Sequence, residues 1–328
     1  MQSRQPEQPD RRIIGELLDA FRKRNGTCLY PSCKKKPINS HVVAEKTLKL
    51  IAQDSTVLTW DLPNDTLIKR IEARLPLEQF YFGPTPVGIG QRSKVTCPLF
   101  CKDHDGSVFT PLEQGNFSSQ PAPEQMVLIA YRGLCAATYD QMVPERAFAV
   151  GEKYGEQSTL NRPEKLPRLH RFLIRDVLLV ARQRHEQILL TQDYRQLDGQ
   201  TYLVNIPPCI ACTYALVPSD ALDTMMTING LQTLTAEDVV VFSFLPYPPL
   251  QSVFVISWLR GSRRARVLLD HIINPVPEKE KPEFFLSLGF QASNVYVSPK
   301  WWKSLSEEQK AYYTKLHLAA GREFAEMV

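Results

Sequence analysis

Four side chains of the kind zinc prefers stand in two short pairs, Cys28-x4-Cys33 and Cys101-x2-His104, far apart along the chain. A tetrahedral zinc site takes four thiolate or imidazole ligands, and two knuckles brought together by folding supply that number. Such a staple ties two loops together where no long secondary structure could hold them. Cys97 leaves one alternative open, a Cys97/Cys101 pair with x3 spacing in place of Cys101/His104; the tighter Cys-x2-His geometry favours His104. A lone histidine, His41, follows the first pair, where it is placed for hydrolytic chemistry beside the metal.

The chain has 328 residues, 43% of them hydrophobic, enough for a sizeable core and for two or three domains. No stretch approaches roughly 18 consecutive apolar residues, and the polar start MQSRQPEQPDRR lacks the apolar core of a signal peptide. A cytoplasmic location without membrane association is therefore expected. Seven cysteines, an odd number spread unevenly, fit a reduced compartment with free or metal-bound thiols better than a disulfide framework. Net charge is +4, yet residues 1–49 carry +6 and the remainder −2, so the basic excess is local. Arg22-Lys23-Arg24 and Lys34-Lys35-Lys36 flank the first cysteine pair and could draw a polyanion such as nucleic acid toward the cluster. The competing reading is a solvated helix end and loop.

Periodicity gives an α+β chain. Asp10 caps a first amphipathic helix through Ile13, Ile14, Leu17, Leu18 and Phe21. The turn-forming segment Cys28-Leu-Tyr-Pro-Ser-Cys33 leads to a short strand over 37–43 and a helix over 48–52. Residues 61–96 read as an insertion ending in a Gly/Pro-rich loop. Cys101 to Asp105 then enters a short helix or turn, and Pro121 and Pro123 mark a boundary. Helices follow from Pro123, with Val127, Ala130, Leu134 and Thr138 on one stripe, and from Arg168 to about Leu190. The segments 201–206, 213–217, 239–245 and 252–259, rich in β-branched and aromatic residues, read as an antiparallel sheet. Ser306-x-x-Gln309 is a capping box for a last helix to about residue 325. The expected division is a zinc module at 1–120, a helical segment at 121–198 and an α+β domain at 199–328.

Three further features carry weaker signals. Cys209-Ile-Ala-Cys212 has redox or knuckle spacing but no partner pair and no nearby histidine, so two buried structural thiols are expected. Trp301-Trp302 reads as core. Arg260 to Arg266, with four arginines in seven residues, reads as a solvated face or a phosphate-binding stripe.

The order of motifs resembles the HNH, or ββα-metal, nucleases, whose core is a treble-clef zinc finger. Cys28 and Cys33 would be the first ligand pair, Ser40-His41 the strand dipeptide, and Cys101 with His104 the second pair opening a helix. The strings Ser40-His41-Val42, Cys101 to Asp105 and Phe109 to Glu113 also resemble a group of prokaryotic proteins carrying Ser-His-Val/Ile, Cys-x2-His-Asp and Phe-x-Pro-x-Glu. The resemblance covers about residues 24–115. It implies a structural Zn²⁺, a catalytic Mg²⁺ or Mn²⁺, His41 as general base, and phosphodiester hydrolysis in DNA or RNA. Two departures stand out. Ser40 replaces the family's metal-ligating Asp, and no terminal helix with two metal ligands follows, which leaves Asp105 and Glu113 as the nearby carboxylates. Asp105 could instead orient the His104 imidazole. The second function class is an inactive treble clef that binds nucleic acid or protein, with the C-terminal part sensing a partner or a second copy of the chain.

Overall fold

The strand-like segments pair as expected from their composition. β5 (Leu197–Val204), β6 (Ile210–Leu216), β7 (Val240–Tyr247) and β8 (Gln251–Leu259) are joined by β2 (Thr56–Thr59), β3 (Thr85–Gly88) and β9 (Val295–Val297). They form a seven-stranded antiparallel sheet in the order β3-β2-β9-β6-β7-β8-β5. A separate ribbon pairs β1 (Ser40–His41) with β4 (Thr96–Cys97). The computed structural model describes residues 26–60, 83–90, 96–113, 118–154, 165–216, 235–247 and 251–325. The amphipathic helix expected from Asp10 through Phe21 and the Arg22-Lys23-Arg24 run lie outside the described residues.

Both faces of the sheet are covered, and its central strands are accordingly apolar throughout rather than alternating. Val240, Phe242 and Phe244 of β7 share one face with Phe254, Ile256 and Trp258 of β8. Against them pack α6 (Arg263–Leu268), α7 (Lys281–Phe290), α8 (Pro299–Ser304) and α9 (Glu307–Ala325). The opposite face, with Val241, Leu245, Ala211 and Ala215, lies under the long helices α4 (Pro123–Tyr154) and α5 (Lys165–Thr191). Helix α4 comes very close at Gly133, where a Cβ would stand 2.6 Å from Thr213 Cγ2. A buried Ser243 hydroxyl donates to Thr213 Oγ1 at 2.9 Å, so the polar atoms beneath that contact are satisfied.

Several boundaries depart from the sequence reading for local reasons. The strand expected over 37–43 shortens to Ser40–His41: Pro37 has no N–H, the Ile38 N–H goes to Phe100 O at 2.7 Å, and Val42-Val43 turn into α1 (Glu45–Ile51). The Gly/Pro-rich segment within 61–96 contributes β3, with Pro86 tolerated because β3 is a sheet edge. Through β2 and β3, the N-terminal part of the chain thus shares a sheet with the C-terminal part. The capping box forms as read, Ser306 N–H donating to Gln309 Oε1 at 2.9 Å and Gln309 N–H to Ser306 Oγ at 3.2 Å. Among the described residues, no helix is long and apolar enough to cross a membrane.

Candidate metal centre

The first knuckle is a tight turn. Cys33 N–H donates to Tyr30 O at 3.1 Å, with Ser32 in the left-handed region at φ 58°, and Cys28 N–H donates to Lys35 O at 2.9 Å. The second knuckle ends at Cys101, the residue before α2 (Lys102–Val108), whose first turn carries His104. Two main-chain bonds zip the knuckles together, Leu29 N–H to Leu99 O at 2.8 Å and Ile38 N–H to Phe100 O at 2.7 Å.

These bonds gather the four ligand atoms of Cys28, Cys33, Cys101 and His104 within 4.8 Å of one another. Cys28 Sγ stands 3.5 Å from His104 Nδ1, Cys101 Sγ 3.3 Å from the same nitrogen, and Cys33 Sγ 3.9 Å from Cys101 Sγ. Metal bonds of about 2.3 Å to sulfur and 2.0 Å to nitrogen, set tetrahedrally, require about 3.8 Å between sulfurs and about 3.5 Å from sulfur to nitrogen. The group can therefore hold a metal ion such as zinc, with donor chemistry and spacing both in agreement. Among the described residues it is the sole cluster of three or more such ligands.

The surroundings suit a closed structural site. Tyr30 stacks on the His104 ring at 4.0 Å between centroids, and Cys101 N–H points at Cys28 Sγ at 3.2 Å. Burial pushes the Cys28 thiol up to about 11, whereas at Cys101 burial is opposed by the backbone N–H groups of His104 and Asp103 together with the Cys33 and Cys28 thiols, and the thiol is lowered. Three thiolates around a dication leave a formal charge of about −1, and the exposed Lys34, Lys35, Lys36 and Lys102 lie around it. Lys35 also reaches Asp103 Oδ2 at 2.5 Å, clipping one knuckle to the other. Cys97 is not in the group; it lies on β4 opposite Ser40, with its thiol raised by burial. Cys209 and Cys212 are buried thiols pushed up to about 12 by burial, as structural cysteines should be.

The other three candidates lie beside the staple. His41 sits on β1 and its Nε2–H donates to Ile89 O at 3.1 Å. Asp105 sits on α2, and Glu113 ends the short helix α3 (Thr110–Glu113). Ser40 is fully buried; its Oγ accepts from Phe100 N–H at 3.3 Å and its hydroxyl bonds the Asp105 carboxylate. Burial raises the Asp105 pKa, opposed by the Arg132 charge and the Ser40 hydrogen bond, and His41 is close enough to act on it electrostatically.

What sequence reasoning missed is Arg132. This α4 residue is 2% exposed, lies over the Phe109 ring at 4.1 Å, donates to Glu113 Oε1 at 2.9 Å and stands 3.8 Å from Asp105 Oδ1. That last distance is too long for a hydrogen bond, and Asp105 Oδ1 is a buried oxygen without a hydrogen-bond partner. The signal was in the sequence: Arg132 is the lone charge in the apolar run 126–138 of a helix otherwise read as scaffold.

Comparison of the chain with protein-family models, with curated proteins and with solved structures finds no match. The chemistry is read from the side chains alone.

Proposed function

We propose that residues 26–113 form an HNH-like treble clef, stapled by zinc, that hydrolyses phosphodiester bonds in nucleic acid with His41 as general base. The supporting topology is a two-stranded ribbon, β1 with β4, leading through the second knuckle into α2, with His41 in the first strand and Asp105 in the helix. The observation that carries the reading is the His41 ring. With Nε2–H given to the Ile89 carbonyl, the neutral imidazole is fixed in one tautomer and Nδ1 is its basic nitrogen. A base so oriented can take the proton of an attacking water.

A divalent cation such as Mg²⁺ or Mn²⁺, when bound, would supply charge stabilisation at the leaving oxygen. Asp105, through its partnerless Oδ1, and Glu113 are the residues that would hold it. Ser40 aims the Asp105 carboxylate, and Arg132 holds Glu113 from the buried side. Exposed lysines on the first knuckle and at the start of α2 favour a polyanionic substrate.

One observation favours the second reading, a module that binds without cutting. Arg132 already places a fixed positive charge against both carboxylates, which opposes a second cation there. A single experiment separates the two. The purified chain with Mg²⁺ or Mn²⁺ is incubated with single- and double-stranded DNA and RNA, beside His41→Ala and Asp105→Asn. Hydrolysis supports the first reading if it is abolished in His41→Ala and reduced in Asp105→Asn; binding without any cleavage by the unmodified chain refutes it.

A further inference from the structure

On the sheet edge formed by β5, three arginines come together from separate parts of the chain. Arg184 belongs to α5, Arg195 to the single turn Tyr194–Gln196, and Arg260 directly follows β8. All three line a hollow of about 460 Å³, and Arg195 and Arg260, with Asp193, also line an adjoining one of about 700 Å³.

Two of the arginines, Arg195 and Arg260, are held in place by groups that leave their binding ends free. Arg195 gives its Nε–H to Asp193 Oδ1 at 3.2 Å, and Arg260 gives its Nε–H to Asp198 Oδ1 at 3.0 Å. Asp193 is steadied from its other oxygen by Gln196 Nε2 at 3.0 Å, and the Arg260 N–H is tied to Gln196 O at 2.8 Å. The chain enters and leaves through left-handed residues, Gln192 at φ 56° and Gly261 at φ 97°, so the turns that present the arginines are sharply defined. In both arginines the carboxylate takes the Nε–H, and the two terminal nitrogens, the fork that grips a phosphate, make no hydrogen bond among the described residues. Arg184 is exposed and makes no ion pair among the described residues. Pre-orientation of this kind reduces the side-chain entropy lost on binding.

We infer that this cleft binds the phosphodiester backbone of single-stranded nucleic acid. The half-buried Tyr194 and Met126 line the larger hollow beside the arginines, the combination of cation and apolar surface on which unpaired bases settle. The cleft belongs to the sheet edge and to α4 and α5, not to the zinc module, so it is a second contact surface for the same polymer. Its choice of ligand rests on the nucleic-acid reading above, but not on cleavage. Glu237, at the rim of the smaller hollow, opposes an anion, as do the Asp193 and Asp198 carboxylates that orient the arginines.

The test is fluorescence anisotropy of a labelled oligothymidine of about 20 nucleotides, longer than the roughly 4–16 of one single-strand site, titrated with the full chain across a range of salt. Arg195→Ala/Arg260→Ala changes exposed side chains, 87% and 58% accessible, so retained folding is expected and is checked by circular dichroism. Loss of two phosphate contacts should weaken binding about tenfold and flatten the salt slope by roughly 1.4, about 0.7 per contact on a single strand. Glu237→Gln should tighten binding. The inference is overturned if affinity and slope are unchanged in the arginine variant. It is also overturned if Lys34→Gln/Lys36→Gln alone abolishes binding while the arginine variant matches the unmodified chain. Binding of ATP or inorganic phosphate, but not of the oligonucleotide, in an arginine-dependent way overturns it as well. Cleavage by the chain is scored separately, so an inactive zinc module leaves this outcome readable.

Discussion

Replacing Arg132 by Met should be among the most costly substitutions in the N-terminal half, and the cost should come mainly from the carboxylates left behind. The guanidinium's charge-assisted hydrogen bond to Glu113 at 2.9 Å contributes about 1.5–3 kcal/mol, and its contact with the Phe109 ring about 1–2 kcal/mol. Asp105, 22% exposed and 3.8 Å away, loses an attraction of about 4 kcal/mol for an effective dielectric near 20. Against these stands the relief of burying a cation that is itself 3% exposed, worth several kcal/mol. The net loss should be about 3–5 kcal/mol, the range found when one partner of a buried pair is removed. Urea unfolding of the zinc-loaded chain, followed by circular dichroism at constant pH, measures it. The decisive comparison is Arg132→Met/Asp105→Asn: if the penalty is uncompensated charge, adding Asp105→Asn should restore about half of the lost stability. A loss under about 1 kcal/mol, or a double variant less stable than Arg132→Met, would refute the reasoning.

Gly133→Ala should destabilise by about 1–3 kcal/mol, since the new methyl would meet Thr213 Cγ2 at 2.6 Å and Val241 Cγ1 at 3.1 Å, both on χ1-stiff β-branched residues; equilibrium unfolding checks it. His185 is buried, with its pKa pushed down to about 4 by burial. A depressed histidine pKa favours unfolding as pH falls from about 6.5, where the unfolded chain takes up the proton, toward 4. His185→Leu should therefore lose less stability than the unmodified chain between pH 7 and pH 5, and equal losses would remove His185 as a cause of acid sensitivity.

What could be read in the sequence followed from local chemistry. The ligand quartet was legible because coordination demands a count and a spacing, and the Ser306–Gln309 box because a cap is a short-range pattern. Three of the four long strands announced themselves by apolar runs with both faces buried, such as Val240–Leu245, whereas the half-exposed edge strand β5 was legible only in its second half. The short strands did not: β2, β3 and β9 hold three or four residues each, and their pairings join positions as distant as Leu58 and Val297. No local window carries such a signal. Trp301 and Trp302, expected in the core, are half-buried at its edge beside Phe290. Arg132 illustrates the same limit, since its partners come from α2 and α3 and only the fold delivers them to α4. The engagement of Asp105 and Glu113 with it could not be read from their spacing alone.

The staple itself is tested most directly by zinc K-edge X-ray absorption on the purified chain, with metal content measured on the same sample. Cys28, Cys33, Cys101 and His104 should give about one zinc per chain, with about three sulfur ligands at 2.3 Å and one nitrogen at 2.0 Å. In Cys28→Ser that signal should be lost or fall to two sulfurs. A stably folded chain that purifies without metal and takes up none, or one whose zinc is bound mainly through oxygen, would contradict the account.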